Sequence, residues 1–256
     1  MQTRISQPIV FMAFILVVSL SAERGARAQT SNKAPYPSMA PVGQYLIADR
    51  DAEIALARSA GPAAVSEKAE ILVLGAHGYE TAVKGSNGFV CLVARSWAKD
   101  FDSPEFWNPR IRTPHALNAE AASSVLPEYL RRSQWVLAGV PKEEMVARTK
   151  AAFEAHEIGS PAPGSMAYML SRDQYIQDPQ PGGEARWYPH VMFFVPAAED
   201  SKWGANFPGG PVFASTSDVV PITTLFLLAP RWSDGSVGPY KPLQAAAAKS
   251  ETHKHR

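Results

Sequence analysis

A single cysteine in 256 residues rules out an intrachain disulfide, so this chain is held together without covalent staples. No cysteine follows the first apolar run where a lipid attachment would need one. The compact catalytic signatures are missing as well: no G-x-S-x-G elbow, no H-E-x-x-H, no G-x-x-x-x-G-K phosphate loop and no G-x-G-x-x-G behind a strand. Cys-His metal spacing is absent too, so neither a metal nor a cofactor is expected. The formal net charge is only +1, which provides no basic field for nucleic acid. The longest apolar run, Ile9 to Leu20, is shorter than the roughly 20 residues a membrane-spanning helix needs.

That run sits in the pattern of an export signal. Arg4 supplies a positive start, the apolar stretch follows, and Ala26-Arg27-Ala28 has the small-x-small form of a cleavage site. Residues 1–28 are expected to be removed and the mature chain to begin at Gln29, in the periplasm or beyond. Removal takes three arginines and one glutamate, moving the formal charge from +1 to −1. A hydrophobic content of 46% with 19% charged residues describes a globular domain, not a disordered chain. The expected organisation is a flexible lead over 29–41, one domain over 42–240 and a disordered tail over 241–256. The 22 prolines are spread through the connections, which points to long ordered loops on one core.

The stretch 71–97, ILVLGAHGYETAVKGSNGFVCLVARSW, holds three apolar runs separated by glycine-containing breaks. It predicts an antiparallel meander. Asn87-Gly88 suits a two-residue type I′ turn, and that register sets Glu80 opposite Arg95, a pair worth roughly 0.2 to 1 kcal/mol. Cys91, inside FVCLV, reads as a small buried hydrophobe. Lys84 falls opposite it in this register and leaves a reactive thiol as the alternative.

Asp49 or Asp51 caps an expected helix over 49–60, stopped by Gly61-Pro62. The segment 97–118 is rich in proline and aromatic residues and reads as a loop packed onto the core. Asn118 caps a second helix that runs to Gly139 with a break at Pro127, and a third starts at Pro141 and stops at Gly159. On that third helix Glu144 with Arg148, and Lys150 with Glu154, have the i, i+4 spacing of a solvated face. Four strands follow, over 166–171, 188–195, 212–215 and 222–229, with His190, Met192 and Phe194 alternating against Val191, Phe193 and Val195. Strands, helices and strands in that order predict an α+β fold. Its antiparallel sheet is built from the N-terminal meander and the C-terminal strands, with two or three helices packed on it.

His190 is the histidine best placed for chemistry. It starts a strand behind a glycine-rich loop that holds Asp178, Glu184, Arg186 and Tyr188, so His190 as a base with Glu184, Asp178 or Asp173 as orienting carboxylate is one catalytic reading. His77 or His115 would complete such a site. The competing reading of His190 is a strand-end histidine hydrogen-bonded to backbone. Ser96-Trp97-Ala98-Lys99 matches S-x-x-K in letters, but its S-D-N and K-T-G companions are missing. The loop 203–210, WGANFPGG, offers Trp203 and Phe207 as stacking surfaces with Asn206 as a hydrogen-bonding group. With Trp187 and Tyr188 these residues would wall an aromatic ligand cleft.

The blocks GYETAVKGSNGFVCLVARSW, FWNPRIRTPHALN, YPHVMFFVP, WGANFPGGPVF and RWSDGS resemble a family of exported bacterial hypothetical proteins. The resemblance covers most of the mature chain and implies export and a shared fold, with no activity or catalytic residues to carry over. The leading expectation is an exported protein binding a small molecule or partner through aromatic-rich loops. A hydrolase built on His190 and a non-catalytic envelope protein are the alternatives, with no nucleic acid partner, no membrane span after signal cleavage and an open oligomeric state.

Overall fold

The computed structural model describes residues 35–179, 187–208 and 210–239. The expected export signal, the first part of the lead, Glu184 and the expected tail lie outside these residues. The described residues all fall in one compact unit.

The fold is α+β, on a single mixed sheet. Its strands are β1 (Glu70–Gly75), β2 (Gly78–Val83), β3 (Val90–Ala94), β4 (Thr113–Leu117), β5 (Met166–Met169), β6 (His190–Pro196), β7 (Val212–Thr216) and β8 (Ile222–Leu228). They are ordered β2-β1-β3-β4-β5-β6-β8-β7. Every neighbouring pair is antiparallel except β1 with β3. Five α-helices are present among the described residues, and three of them are long: α1 (Arg50–Arg58), α4 (Leu126–Leu137) and α5 (Lys142–Glu154). The short α2 (Ala63–Ser66) and α3 (Ala119–Ser124) complete the set.

The parallel pair corrects the expected meander. β1 and β2 form a hairpin around Ala76-His77, but the chain then crosses over and lays β3 on the far side of β1. Asn87-Gly88 does not make a hairpin turn. The Asn87 side chain accepts from Phe89 N at 3.1 Å and donates to Val65 O at 2.7 Å, tethering the crossover. Gly85 is obligatory there, because a Cβ would stand 2.2 Å from Glu70 N. The reason lies in the residues: Cys91 to Ala94 are buried, while the middle of β2 is exposed. A strand buried on both faces needs a neighbour on each side, and β1 and β4 supply them. Glu80 accordingly pairs in register with Val73 and binds Arg50 at 2.6 Å, not Arg95.

β4 is a second correction, since it occupies part of the expected loop. All five of its residues are buried, Pro114 included. Proline cannot donate to a ladder, and Pro114 lies beyond the β4–β5 ladder, which pairs only Ala116 with Tyr168 and Leu117 with Ala167. The missing N–H therefore costs the sheet little.

Helix signals read well. Asp49 caps α1, accepting from Asp51 N and Ala52 N, and Asn118 caps α3. The expected break falls at Val125, between α3 and α4. α5 ends earlier than Gly159, where His156 takes a positive φ of 57°. The lead is tied down from residue 35 on, where Met39 and Ala40 pack against an aromatic cluster containing Tyr45, Trp97, Phe106 and Trp107.

Two more clusters build the layers. Leu92, Leu117, Ala167, Met192 and Phe194 on one sheet face pack against Ala121, Val125 and Leu126. On the opposite face Ile71, Cys91, Val93 and Ala116 pack against Ala57 and Ala60. Each fully buried leucine or isoleucine here stabilises by roughly 1.5 to 3 kcal/mol. Between the layers lies a buried ion pair: Arg95 NH2 donates to Glu53 Oε1 at 2.8 Å, with the two side chains 0% and 2% exposed. Arg95 Nε donates to Tyr45 O and Leu74 N donates to Glu53 Oε1, so both charges have backbone partners as well.

Candidate functional site

A cavity of about 430 Å³ opens between the sheet and α4, within the size range of small-molecule sites. Its floor comes from one face of β4, β5, β6 and β8. Strand alternation puts His190, Met192 and Phe194 on that face, and the register adds Met169 opposite His190 and Phe226 opposite Met192. His115 joins them from β4. The roof is one stripe of α4, Glu128, Tyr129 and Arg132, which are i, i+1 and i+4. The loop 98–103 forms the rim.

The roof is held rigidly. Arg132 is ion-paired with Glu128 one turn away, both buried. Its NH1 donates to Trp97 O at 2.9 Å and Lys99 O at 2.7 Å, and its guanidinium lies 4.2 Å above the Phe101 ring. Trp97 Nε1 donates to Ser133 Oγ. These bonds fasten the rim loop to the helix, and with it the position of Lys99.

Among the polar groups around this cavity, His115 Nε2, His190 Nε2, the Tyr129 hydroxyl and the Lys99 ammonium have no hydrogen-bond or ion-pair partner among the described residues, and Arg132 Nε is buried without one. Burial dominates the electrostatics of the two imidazoles, the phenol and the ammonium. It pushes the His115 imidazole down to about 4, against the opposing hydrogen bond to Thr113 and with a small contribution from His190. Burial lowers His190 in the same way, opposed by its hydrogen bond to Tyr188. Burial also lowers the Lys99 ammonium, while Glu105 and Asp100 push it back up. The Tyr129 phenol is raised by burial and then by the neighbouring Glu128 carboxylate. At neutral pH the site thus presents two neutral imidazoles and a phenol against methionine and phenylalanine side chains, with Lys99, Asp100 and Asp102 at the rim.

Asp178 and Asp173, two of the expected carboxylate partners of His190, make their contacts elsewhere. Asp178 accepts from Tyr175 at 2.7 Å, Asn108 at 3.0 Å and Arg110 at 3.2 Å, and also from Tyr36. Burial alone would raise its pKa, but those hydrogen bonds together with Arg110 outweigh burial and hold it below the usual range. Asp178 is thus the knot that ties the lead to the 105–110 loop. Among the described residues the His190 side chain makes one hydrogen bond, from Nδ1 to the backbone carbonyl of Tyr188 at 2.7 Å. Asp173 borders a separate small hollow with Arg172 and Asp234, and Glu184 lies outside the described residues.

The aromatic residues do not gather into one cleft. Trp187 packs edge-on against Tyr175, 5.7 Å between centroids, and donates to Arg172 O. Trp107 is buried in the aromatic cluster. Trp203 and Phe207, 41% and 56% exposed, belong to the β6–β7 connection and do not line the cavity. Asn206 clamps the edge strand, exchanging two side-chain hydrogen bonds with Ala214. Tyr188 is exposed and enters the site only through its carbonyl. Of the histidines weighed with His190, His77 is exposed in the β1–β2 turn, whereas His115 is brought into the same cavity.

Sequence reasoning missed Tyr129, Arg132 and Lys99 as site residues. Lys99 surfaced only as the end of S-x-x-K, and Ser96 of that motif is wholly buried and does not line the cavity. Among the described residues no group of histidine, cysteine and carboxylate side chains is arranged to hold a metal, and no helix is long and apolar enough to cross a membrane. No family model matches the chain, and the comparisons with curated proteins and with solved structures find no match either.

Proposed function

We propose that this is an exported protein that binds a small molecule in the cavity between the sheet and α4. The observation that carries the reading is the set of unpartnered polar groups around one apolar-floored cavity. These groups point donors and acceptors into a cavity with an apolar floor and are not committed to protein partners, which is the arrangement of a small-molecule site. Export is supported by the Arg4, Ile9–Leu20 and Ala26-Arg27-Ala28 pattern.

The test is a thermal-shift screen of the mature chain against metabolites, since a ligand at 100 times its Kd adds about 2.7 kcal/mol. The substitution Met192→Trp fills the cavity floor and is expected to abolish the shift of any true ligand. Hits that bind Met192→Trp and wild type equally would overturn the reading.

A second reading is general-base hydrolysis at His190, which draws on the same unbonded Nε2. It uses a backbone carbonyl in place of a carboxylate to orient the ring. Turnover of an ester panel that His190→Phe leaves unchanged would remove it.

A further inference from the structure

His115 and His190 repeat one local design. Each follows a proline, in Thr113-Pro114-His115 and Tyr188-Pro189-His190, and each Nδ1 lies 2.8 or 2.7 Å from the carbonyl of the residue before that proline. A carbonyl only accepts, so each Nδ1 carries the hydrogen, and in the neutral ring each Nε2 carries a lone pair. β4 and β6 both run antiparallel to β5 and therefore point the same way. Met169 of β5 is opposite His190, and continuing the Leu117–Ala167 and Ala116–Tyr168 register by one residue sets His115 opposite the same Met169. The two imidazoles stand in one row across the sheet, two strand spacings or about 10 Å apart at the backbone.

We infer, resting on the reading that this cavity binds a small molecule, that its ligand is an uncharged compound with two hydroxyl groups on an apolar frame, one donating to Nε2 of each histidine. Two O–H···N hydrogen bonds of about 2.8 Å leave about 4 to 5 Å between the hydroxyl oxygens if they are to span the row. That spacing is met by hydroxyls at positions 1 and 3 of a six-membered ring, whose body would lie over Met169. An anionic group is disfavoured: its lone pairs would face those of both imidazoles, Asp100 and Asp102 line the same cavity, and of the lining cations Arg95 and Arg132 are already ion-paired with Glu53 and Glu128. Lys99 remains as a donor to a hydroxyl oxygen.

The experiment uses a matched series at neutral pH: resorcinol, 3-methoxyphenol, 1,3-dimethoxybenzene and 3-hydroxybenzoate, titrated into the mature protein by calorimetry and ligand-observed NMR. Resorcinol is expected to bind tightest, with each lost donor weakening binding about 2- to 10-fold. In His115→Phe or His190→Phe, resorcinol and 3-methoxyphenol should bind alike, as a double-mutant cycle requires. If either variant fails to fold, the wild-type series alone decides. Equal binding of 1,3-dimethoxybenzene, or tighter binding of 3-hydroxybenzoate, would overturn the inference and leave the cavity reading standing. So would failure of the whole series at millimolar concentration while Met192→Trp still blocks a ligand from the metabolite screen. A screen whose hits ignore Met192→Trp would overturn both.

Discussion

Acidification should destabilise this protein through His115 well before its carboxylates titrate. In the unfolded chain the imidazole protonates near its ordinary value of 6.5, whereas in the fold burial holds it down to about 4. Between those values the unfolded state binds a proton that the native state refuses, so stability falls with pH at up to 1.36 kcal/mol per unit. The sign follows from the depressed pKa: the contribution is whole above pH 6.5, is lost as pH falls towards 4, and levels off below. Across the window it amounts to about 3 kcal/mol, a large share of the 5–15 kcal/mol that holds a typical domain together. His190 is lowered too and adds in the same direction. Asp178, held below its ordinary value of 3.8, is silent above that pH and acts only in stronger acid. Urea unfolding at several pH values between 7.5 and 4 measures the slope. His115→Phe should be less stable at neutral pH, since it removes the hydrogen bond to the Thr113 carbonyl, yet its pH slope should be shallower by up to one proton. Wild-type stability that stays flat over this range, or an unchanged slope in His115→Phe, would refute the reasoning.

Three further outcomes follow from the packing. Glu53→Ala leaves Arg95 charged and buried, and should cost about 3–5 kcal/mol in chemical unfolding, whereas replacing both residues with methionine should cost much less. Gly85→Ala sets a methyl 2.2 Å from Glu70 N, so it must shift the crossover between β2 and β3; unfolding measurements should show a loss of about 2 kcal/mol or more. Cys91 is fully buried and its thiol is pushed up to about 12 by burial, so iodoacetamide should label it only in denaturant, and labelling of the native chain would contradict that environment.

The parts of the fold that were legible in the sequence are those written by local chemistry. Asp49 and Asn118 cap helices because a side-chain oxygen ahead of an apolar periodic run satisfies the first free N–H groups, and that arrangement is visible in the letters. The alternation of His190, Met192 and Phe194 fixed the inner face of β6 for the same reason. Asn87-Gly88 was read wrongly because turn propensity is a local preference worth little against the demand of Cys91 to Ala94 for strands on both sides. β4 was hidden by Pro114, which argues against a central strand until the short ladder to β5 is known.

The site shows the same division. Its roof was not legible, since Tyr129 and Arg132 are unremarkable letters on an amphipathic helix until the rim loop is folded under them. Its floor left a trace that spacing alone could not interpret, the recurrence of a residue-Pro-His triplet at 113–115 and 188–190. Proline fixes φ between the accepting carbonyl and the histidine, so the same three residues build the same Nδ1–H clamp wherever they start a strand. A lone clamp of this kind is an ordinary way to satisfy a buried histidine. Two of them, on strands that run the same way and flank a single methionine, turn an ordinary device into a matched pair of acceptors. For that reason His115 belongs to the site together with His190, whereas Asp178 is engaged by Tyr175, Asn108 and Arg110.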